Sequence, residues 1–172
     1  MKIKTITHVE PHLAKLVSLL IACVSKDASI GFIPPLSEAD AHAYWRSQAD
    51  AISSGEQVLF VAQNENDSQE IIGLVMLSLV QKANGRHRAE VEKLMVAPTA
   101  RGRGVAQHLM LTLEQFARSN NRSLLVLDTR KGDAASQLYT KLGYTVAGEI
   151  PDFAANADGQ LTATVYFYKL LQ

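Results

Sequence analysis

Three observations predict an α/β (α+β) fold with about seven strands. Segments of strand-like apolar patterning alternate with segments of helical period along the whole chain. The run Leu124–Leu127 is apolar at every position, as in a central strand buried on both faces. Between a strand pattern at Ala89–Val96 and an amphipathic helix stands a turn that carries Gly102 and Gly104.

The elements follow in order. Ile3 to Val9 alternates as a first strand, and Pro11, at a first helical position, opens a helix through Leu13, Leu16, Val17, Leu20 and Val24. Gly31 and the Pro34-Pro35 pair interrupt the chain before a second helix that starts at Ser37, with Asp40 three residues on, and ends at Gly55. Strands at Gln57–Gln63 and Ile71–Val80 flank the polar stretch Asn64–Glu70, and an Asn84-Gly85 turn makes a hairpin with a fourth strand ended by Pro98. The next helix keeps Val105, Leu109, Leu113 and Phe116 on one face and stops near Asn120-Asn121. After the strand at Leu124 come a short helix, Ala134–Leu142, ended by Gly143, and strands at Tyr144–Ile150 and Thr162–Leu170.

Length and composition bound the function. With 172 residues and no linker, repeat or low-complexity stretch, residues 1–172 are expected to form one domain. Seventeen basic residues balance seventeen acidic ones, so neither nucleic acid nor an anionic membrane is an expected partner. The longest mainly apolar stretch, Ile71 to Val80, is short of the roughly 20 residues of a bilayer span. An N-terminus without an apolar core and a lone cysteine, Cys23, set among Leu19, Leu20 and Val24, point to a cytoplasmic protein with Cys23 in its core. The five histidines lack metal-ligand spacing, so no metal site is expected.

The turn from Val96 to Ala106 is suited to holding a pyrophosphate. Its glycines admit a ligand close to the backbone, and the helix they open offers unpaired N–H groups and a positive dipole end. Arg101 and Arg103 stand where cations are unfavourable by about 0.3–1 kcal/mol each unless something negative is bound; the alternative is a solvated basic turn. A dinucleotide fingerprint starting at Gly102 would need a third glycine where Gln107 stands, and no Lys-Ser or Lys-Thr follows Gly104 as in a phosphate loop of the Walker type. Arg101, Gly104 and Ala106 instead match R/Q-x-x-G-x-G/A, and the chain thereby resembles the GCN5-related N-acetyltransferases (GNAT), whose turn wraps the pyrophosphate of acetyl-coenzyme A. The order of elements is that family's topology, so the resemblance covers nearly the whole chain and implies a mixed central sheet with helices on both faces. Within the family, Arg88–Val96, Leu127-Asp128-Thr129 and Gly148-Glu149-Ile150-Pro151 are most similar to tabtoxin-resistance and related small-molecule acetyltransferases.

An amine must lose a proton before it attacks a thioester, which calls for a base. Glu90 and Glu92 lie two apart on one strand and share a face, with Leu94 and Val96 expected to continue it and Val91, Lys93 and Met95 to point the other way. Either one of the pair is functional, with Glu90 the better match to the family, or both are exposed and balanced by Arg86, Arg88 or Lys93. Asp128, at the carboxyl end of a central strand, is a second candidate, or it caps the following turn together with Thr129. The resemblance implies that Tyr139 sits near the coenzyme sulfur and protonates the departing thiolate; a core phenol is the alternative, and Tyr144 is read as structural. Tyr44 and Trp45 either wall a cleft or pack in the core. Phe32–Pro35 and Pro151–Gly159 are expected to be loops flanking the acceptor pocket, the second made polar by Asp152, Asn156 and Asp158.

These readings combine into an N-acetyltransferase that passes acetyl directly from acetyl-coenzyme A to a primary amine of a small molecule, such as a toxin or antibiotic. Leu94, Met95 and Val96 would pair with the pantetheine arm, and Arg101, Gly102, Arg103, Gly104, Val105 and Ala106 would hold the pyrophosphate. Glu90, Glu92 and Asp128 would handle the amine proton, and Tyr139 would contact the cofactor and supply the acid. A non-catalytic acyl-coenzyme A sensor and a protein or peptide acetyltransferase are the rival readings. Nothing in the sequence decides between a monomer and a homodimer.

Overall fold

The computed structural model describes residues 1–65 and 70–171. Among them seven strands form one sheet: β1 (Lys2–Ile6), β2 (Gln57–Gln63), β3 (Ile71–Leu79), β4 (Arg88–Val96), β5 (Leu124–Arg130), β6 (Thr145–Ala155) and β7 (Leu161–Leu170), in the order β1-β2-β3-β4-β5-β7-β6. Every neighbouring pair is antiparallel except β4 and β5. The helices are α1 (Leu13–Val24), α2 (Glu38–Ser47), α3 (Ala49–Ser54), α4 (Val105–Ser119) and α5 (Ala134–Lys141). Residues 66–69, within the polar connection predicted over Asn64–Glu70, lie outside the described residues.

Alternation along the strands divides the core into two layers. Leu59, Val61, Leu74 and Met76 face α1, α2 and α3, where they pack with Leu16, Leu20, Trp45 and Ile52. Phe60, Ala62, Val75 and Leu77 face the opposite side, against Leu109, Met110 and Leu113 of α4 and Tyr139 of α5. Fully burying each such aliphatic side chain contributes about 1.5–3 kcal/mol, which is why the strand pattern dictates the layering.

Local differences from the expected elements have physical causes. Pro11 sits in a 3-10 turn, Glu10–His12, that ends the first strand early and leads into α1. The single second helix is two: Ser37 Oγ accepts from the Asp40 N–H at 3.0 Å as expected of a cap, but the ladder tightens where the Gln48 N–H bonds the Trp45 carbonyl. The Asn84-Gly85 turn is a 3-10 turn, Ala83–Gly85, and the β3–β4 hairpin forms around it. Half of the loop expected over Pro151–Gly159 is strand, because β6 resumes pairing at Ala154 and Ala155. Pro151 is tolerated there since β6 is an edge strand, where a missing N–H costs no ladder bond.

One correction bears directly on the site. Ala89 and Val91 pack against α4, yet Met95, of the same parity, packs among the residues under α1 and α2. A bulge reverses the faces. Met76 pairs with Glu92 and Leu74 with Met95, so Lys93 and Leu94 together oppose Val75, and Lys93 takes φ 53°. Leu94 and Val96 therefore do not continue the side of Glu90 and Glu92; they turn toward α4. Lys93, expected on the far face, joins the glutamates' side.

Candidate active site

The parallel pairing of β4 with β5 is short: Arg88 with Leu124, Ala89 with Leu125, Glu90 with Val126. Beyond Glu90 the two strands part, so the backbone of the last six residues of β4 is unpaired on that edge. Two cavities lie along the opening. A groove of about 570 Å³ runs along Leu94–Val96, between residues 23–28 at the end of α1 and just after it and residues 130–138 at the end of β5 and the start of α5, and ends at the turn before α4. A second cavity of about 400 Å³ is lined by Glu90, Glu92, Lys93, Asp128, Thr164 and Tyr139, with Ser29–Gly31 and Phe153 at its edges. Ala28, Leu94, Arg130, Asp133 and Ala135 line both, so groove and cavity are continuous.

The groove fits a pyrophosphate-bearing thioester. Gly104 has φ 76° and Gly102 φ 75°, which an L side chain rarely adopts, and this conformation bends the chain into α4. Among the described residues no side chain caps α4, which leaves the N–H groups of its first turn without a capping acceptor, as an anion-holding helix start requires. Arg101, Gly102, Gly104, Val105 and Ala106 line the groove with Leu94, Met95 and Val96; Arg103 is exposed and lies outside the lining. Cys23, 1% exposed in the core, also borders the groove, its thiol 3.5 Å from the Val96 carbonyl. Burial raises that thiol above its usual pKa, although Arg101 opposes the shift.

The cavity gathers Glu90, Glu92, Asp128 and Tyr139. Burial, followed by the charges of Glu92 and Asp128, holds the Glu90 carboxyl above its ordinary range, with Arg88 acting the other way. Asp128 lies inside β5 and caps no turn; it accepts from the Thr164 hydroxyl at 2.6 Å. Tyr139 is 5% exposed, with its ring against Tyr144 and Phe167 at 5.9 and 5.7 Å. Burial first, then Asp128 and Asp133, raises the phenol's pKa, so it stays protonated at neutral pH. Trp45 is wholly buried among the residues under α1 and α2, and Tyr44 stands edge-on to Phe32 at 5.1 Å.

Two residues here were not expected in the site from the sequence. The Lys93 ammonium donates to the Ile30 carbonyl at 2.8 Å and lies 5.6 and 5.7 Å from the Phe32 and Tyr44 rings. Arg130 bonds Asp133 Oδ1, the backbone and side chain of Asp27, and Asn156 Oδ1, joining three segments at the seam between groove and cavity. The available clue to Arg130 was its spacing of two from Asp128 on one strand.

A family model described as "Acetyltransferase (GNAT) family" matches residues 25–144. The chain belongs to the GNAT acetyltransferases. It is an acetyltransferase with acetyl-coenzyme A as co-substrate. Solved structures carry the same fold across nearly the whole chain. A ribosomal-protein-alanine N-acetyltransferase from Brucella melitensis is 21% identical, with a TM-score of 0.80 over 99% of this chain and 100% of that one. A protein from Salmonella typhimurium assigned as an acetyltransferase and solved with its cofactor acetyl-CoA is 17% identical, with a TM-score of 0.75 over 99% and 94%. A protein assigned as a phosphinothricin N-acetyltransferase is 17% identical, with a TM-score of 0.80 over 99% of each chain. Among the described residues of this GNAT chain, no helix is long and apolar enough to cross a membrane.

Proposed function

We propose that this GNAT enzyme acetylates a primary amine of a small molecule by direct transfer. The observation that carries the reading is the parting of β4 from β5 beyond Glu90, which leaves a cofactor-sized groove opening into a cavity that holds three carboxylates and a protonated phenol. The first-turn N–H groups of α4 and the backbone of Gly102–Ala106 hold the pyrophosphate, and Leu94–Val96 offer unpaired strand backbone to the pantetheine arm. Glu90, with Asp128 beside it, takes the proton from the bound ammonium. The neutral amine then forms the C–N bond to the acetyl carbonyl carbon as the C–S bond breaks, and the thiolate takes its proton from Tyr139. The surplus proton on the new amide nitrogen leaves through the carboxylates to solvent, and Tyr139 is reprotonated from solvent.

A phosphinothricin-type neighbour and the tabtoxin-resistance-like motifs support a small acceptor such as a toxin or antibiotic; the alanine acetyltransferase neighbour keeps a peptide acceptor as the rival. A thiol-release assay over a panel of small amines and N-terminal peptides, with mass spectrometry for one added acetyl, tests the reading. Turnover of small amines supports it. Turnover of peptides alone would replace the acceptor, and acetyl-coenzyme A binding without any turnover would make the protein a sensor.

A further inference from the structure

Granting that the groove holds acetyl-coenzyme A, one side chain ties its two walls to the wall of the acceptor cavity. Arg130, at the end of β5, is 18% exposed and lines both spaces. Its Nη2 donates to the Asp27 carbonyl at 3.0 Å and pairs with Asp27 Oδ2 at 3.0 Å, which fixes the chain just past α1. Nε and Nη2 donate to Asp133 Oδ1 at 3.1 and 3.0 Å. Asp133 stands at the N-cap of α5, yet its carboxylate makes no cap bond and faces Arg130 instead. Nη1 donates to Asn156 Oδ1 at 3.2 Å, in the connection between β6 and β7.

The two aspartates line opposite walls of the groove, whereas Asn156 lies outside it. Asn156 belongs to the acceptor side: Phe153 and Ala154, just before it, line the acceptor cavity. A further space of about 200 Å³ lies between residues 27–34 and 154–157, with Arg130 at its edge, so the guanidinium bridges a gap. Among the described residues no other side-chain hydrogen bond joins the groove walls to this connection. Asn156 also organises the connection, since its N–H donates to the Gln160 carbonyl at 2.8 Å and its carbonyl accepts from the Gly159 N–H at 3.0 Å.

We propose that Arg130 is a positioning residue that carries occupancy of the groove to the acceptor wall. A cofactor that orders Asp27 and Asp133 fixes the guanidinium between them, and the guanidinium fixes Asn156. Because the fork is planar and is held at Nε and Nη2 by two carboxylates, it cannot swing without breaking charge-assisted bonds, and Nη1 is aimed accordingly. Once the walls are ordered, less freedom remains to be lost at the connection, so rigidity gained in the groove is felt at the acceptor wall. The coupling is reciprocal: whatever orders the wall tightens cofactor binding.

Coenzyme A is the probe, and amide hydrogen exchange with and without it is the readout. In the wild-type protein, saturating coenzyme A should slow exchange by about tenfold at residues 26–28 and 134–138 of the groove walls. It should also slow the Asn156 and Gly159 amides, outside the groove, by about threefold or more. Arg130→Met and Asn156→Ala should each keep the slowing in the walls and lose it in the connection, read at position 156 and Gly159. The ratio of rates with and without coenzyme A is what is compared, so general loosening by a lost bond, which raises both rates alike, does not imitate the result. Arg130→Lys, with a single ammonium in place of the fork, should not restore the effect. Asn156→Ala leaves both aspartate bonds intact and decides the matter alone if Arg130→Met fails to fold. Slowing confined to the walls in the wild-type protein, or slowing of the connection that persists in Asn156→Ala, overturns the proposal. Failure of coenzyme A to slow the walls would overturn the assignment of the groove, and the coupling with it.

Discussion

The ammonium of Lys93 donates to the carbonyl of Ile30 at 2.8 Å, fastening the segment between α1 and α2 to the bulge of β4. The bulge puts Lys93 on this side of the sheet, and Ile30 with its neighbours Ser29 and Gly31 forms an edge of the cavity. Replacing Lys93 with Met keeps the packing stem against Phe32 and Tyr44 but removes the donor. Amide hydrogen exchange over residues 28–33 should then quicken by about tenfold, as expected for one charged hydrogen bond. Acetyl-coenzyme A affinity should stay within about twofold, since Lys93 is outside the groove lining. Unchanged exchange would mean that the segment is held by its own packing.

Gly104→Val tests the anion site. A Cβ there would meet only the His108 ring at 3.5 Å, an ordinary contact, so the damage comes from φ 76°, which a β-branched residue resists. The turn should relax away from this shape and weaken acetyl-coenzyme A binding by about tenfold or more in calorimetry, with helix content by circular dichroism retained. Undiminished affinity would remove the turn from the cofactor site.

Glu90 and Glu92 are coupled, and the sign of the coupling is measurable. Because burial and then the neighbouring carboxylates raise Glu90's pKa, the acid limb of kcat/KM should fall at a pH above that of an ordinary glutamate. Below that limb Glu90 is protonated and cannot accept the amine proton. Glu92→Gln removes one of the raising charges and should move the limb to lower pH, whereas Glu90→Gln should abolish it along with most of the rate. A limb unmoved in both variants would transfer the role of base to Asp128 or water.

Tyr139→Phe deletes one hydroxyl and keeps the ring that packs on Tyr144 and Phe167. The hydroxyl has no hydrogen-bond partner among the described residues, so the melting temperature should change little. The rate constant should fall by about 10²–10⁴-fold, the range for a positioned acid, with acetyl-coenzyme A affinity nearly unchanged. A loss under about threefold would make the phenol a packing residue.

Stability should hinge on an ion pair away from the chemistry. Lys169 Nζ bonds Glu114 Oε2 at 2.7 Å and the Leu142 carbonyl at 2.6 Å, tying β7 to α4 and to the end of α5, and Glu114 is 2% exposed. Lys169→Met leaves the buried carboxylate with only the Arg118 guanidinium, 3.9 Å away, and should cost about 3 kcal/mol in denaturant unfolding. Adding Glu114→Leu should recover most of that loss, because an apolar pair of similar volume needs no desolvation. A double variant as unstable as the single one would show that the bond to Leu142 carries the effect.

Sequence by itself determined the order of the strands and the glycine turn before α4. Both are local properties. The apolar run within Gln57–Gln63 or the cap at Ser37 depends on residues a few positions apart, and the glycines before α4 declare their conformation without tertiary help. The GNAT family was equally legible, since its motif is contiguous. The facing of residues after Glu92 was not, because alternation presumes a regular strand and the bulge at Lys93 is fixed only when β3 pairs alongside. Likewise Asp128 meets Thr164, 36 positions on, and Arg130 meets Asp27, 103 positions back, through strand register and chain crossing that no local pattern encodes. Only the tertiary structure decided which charges share the cavity, because a charge acts on whatever the fold brings beside it.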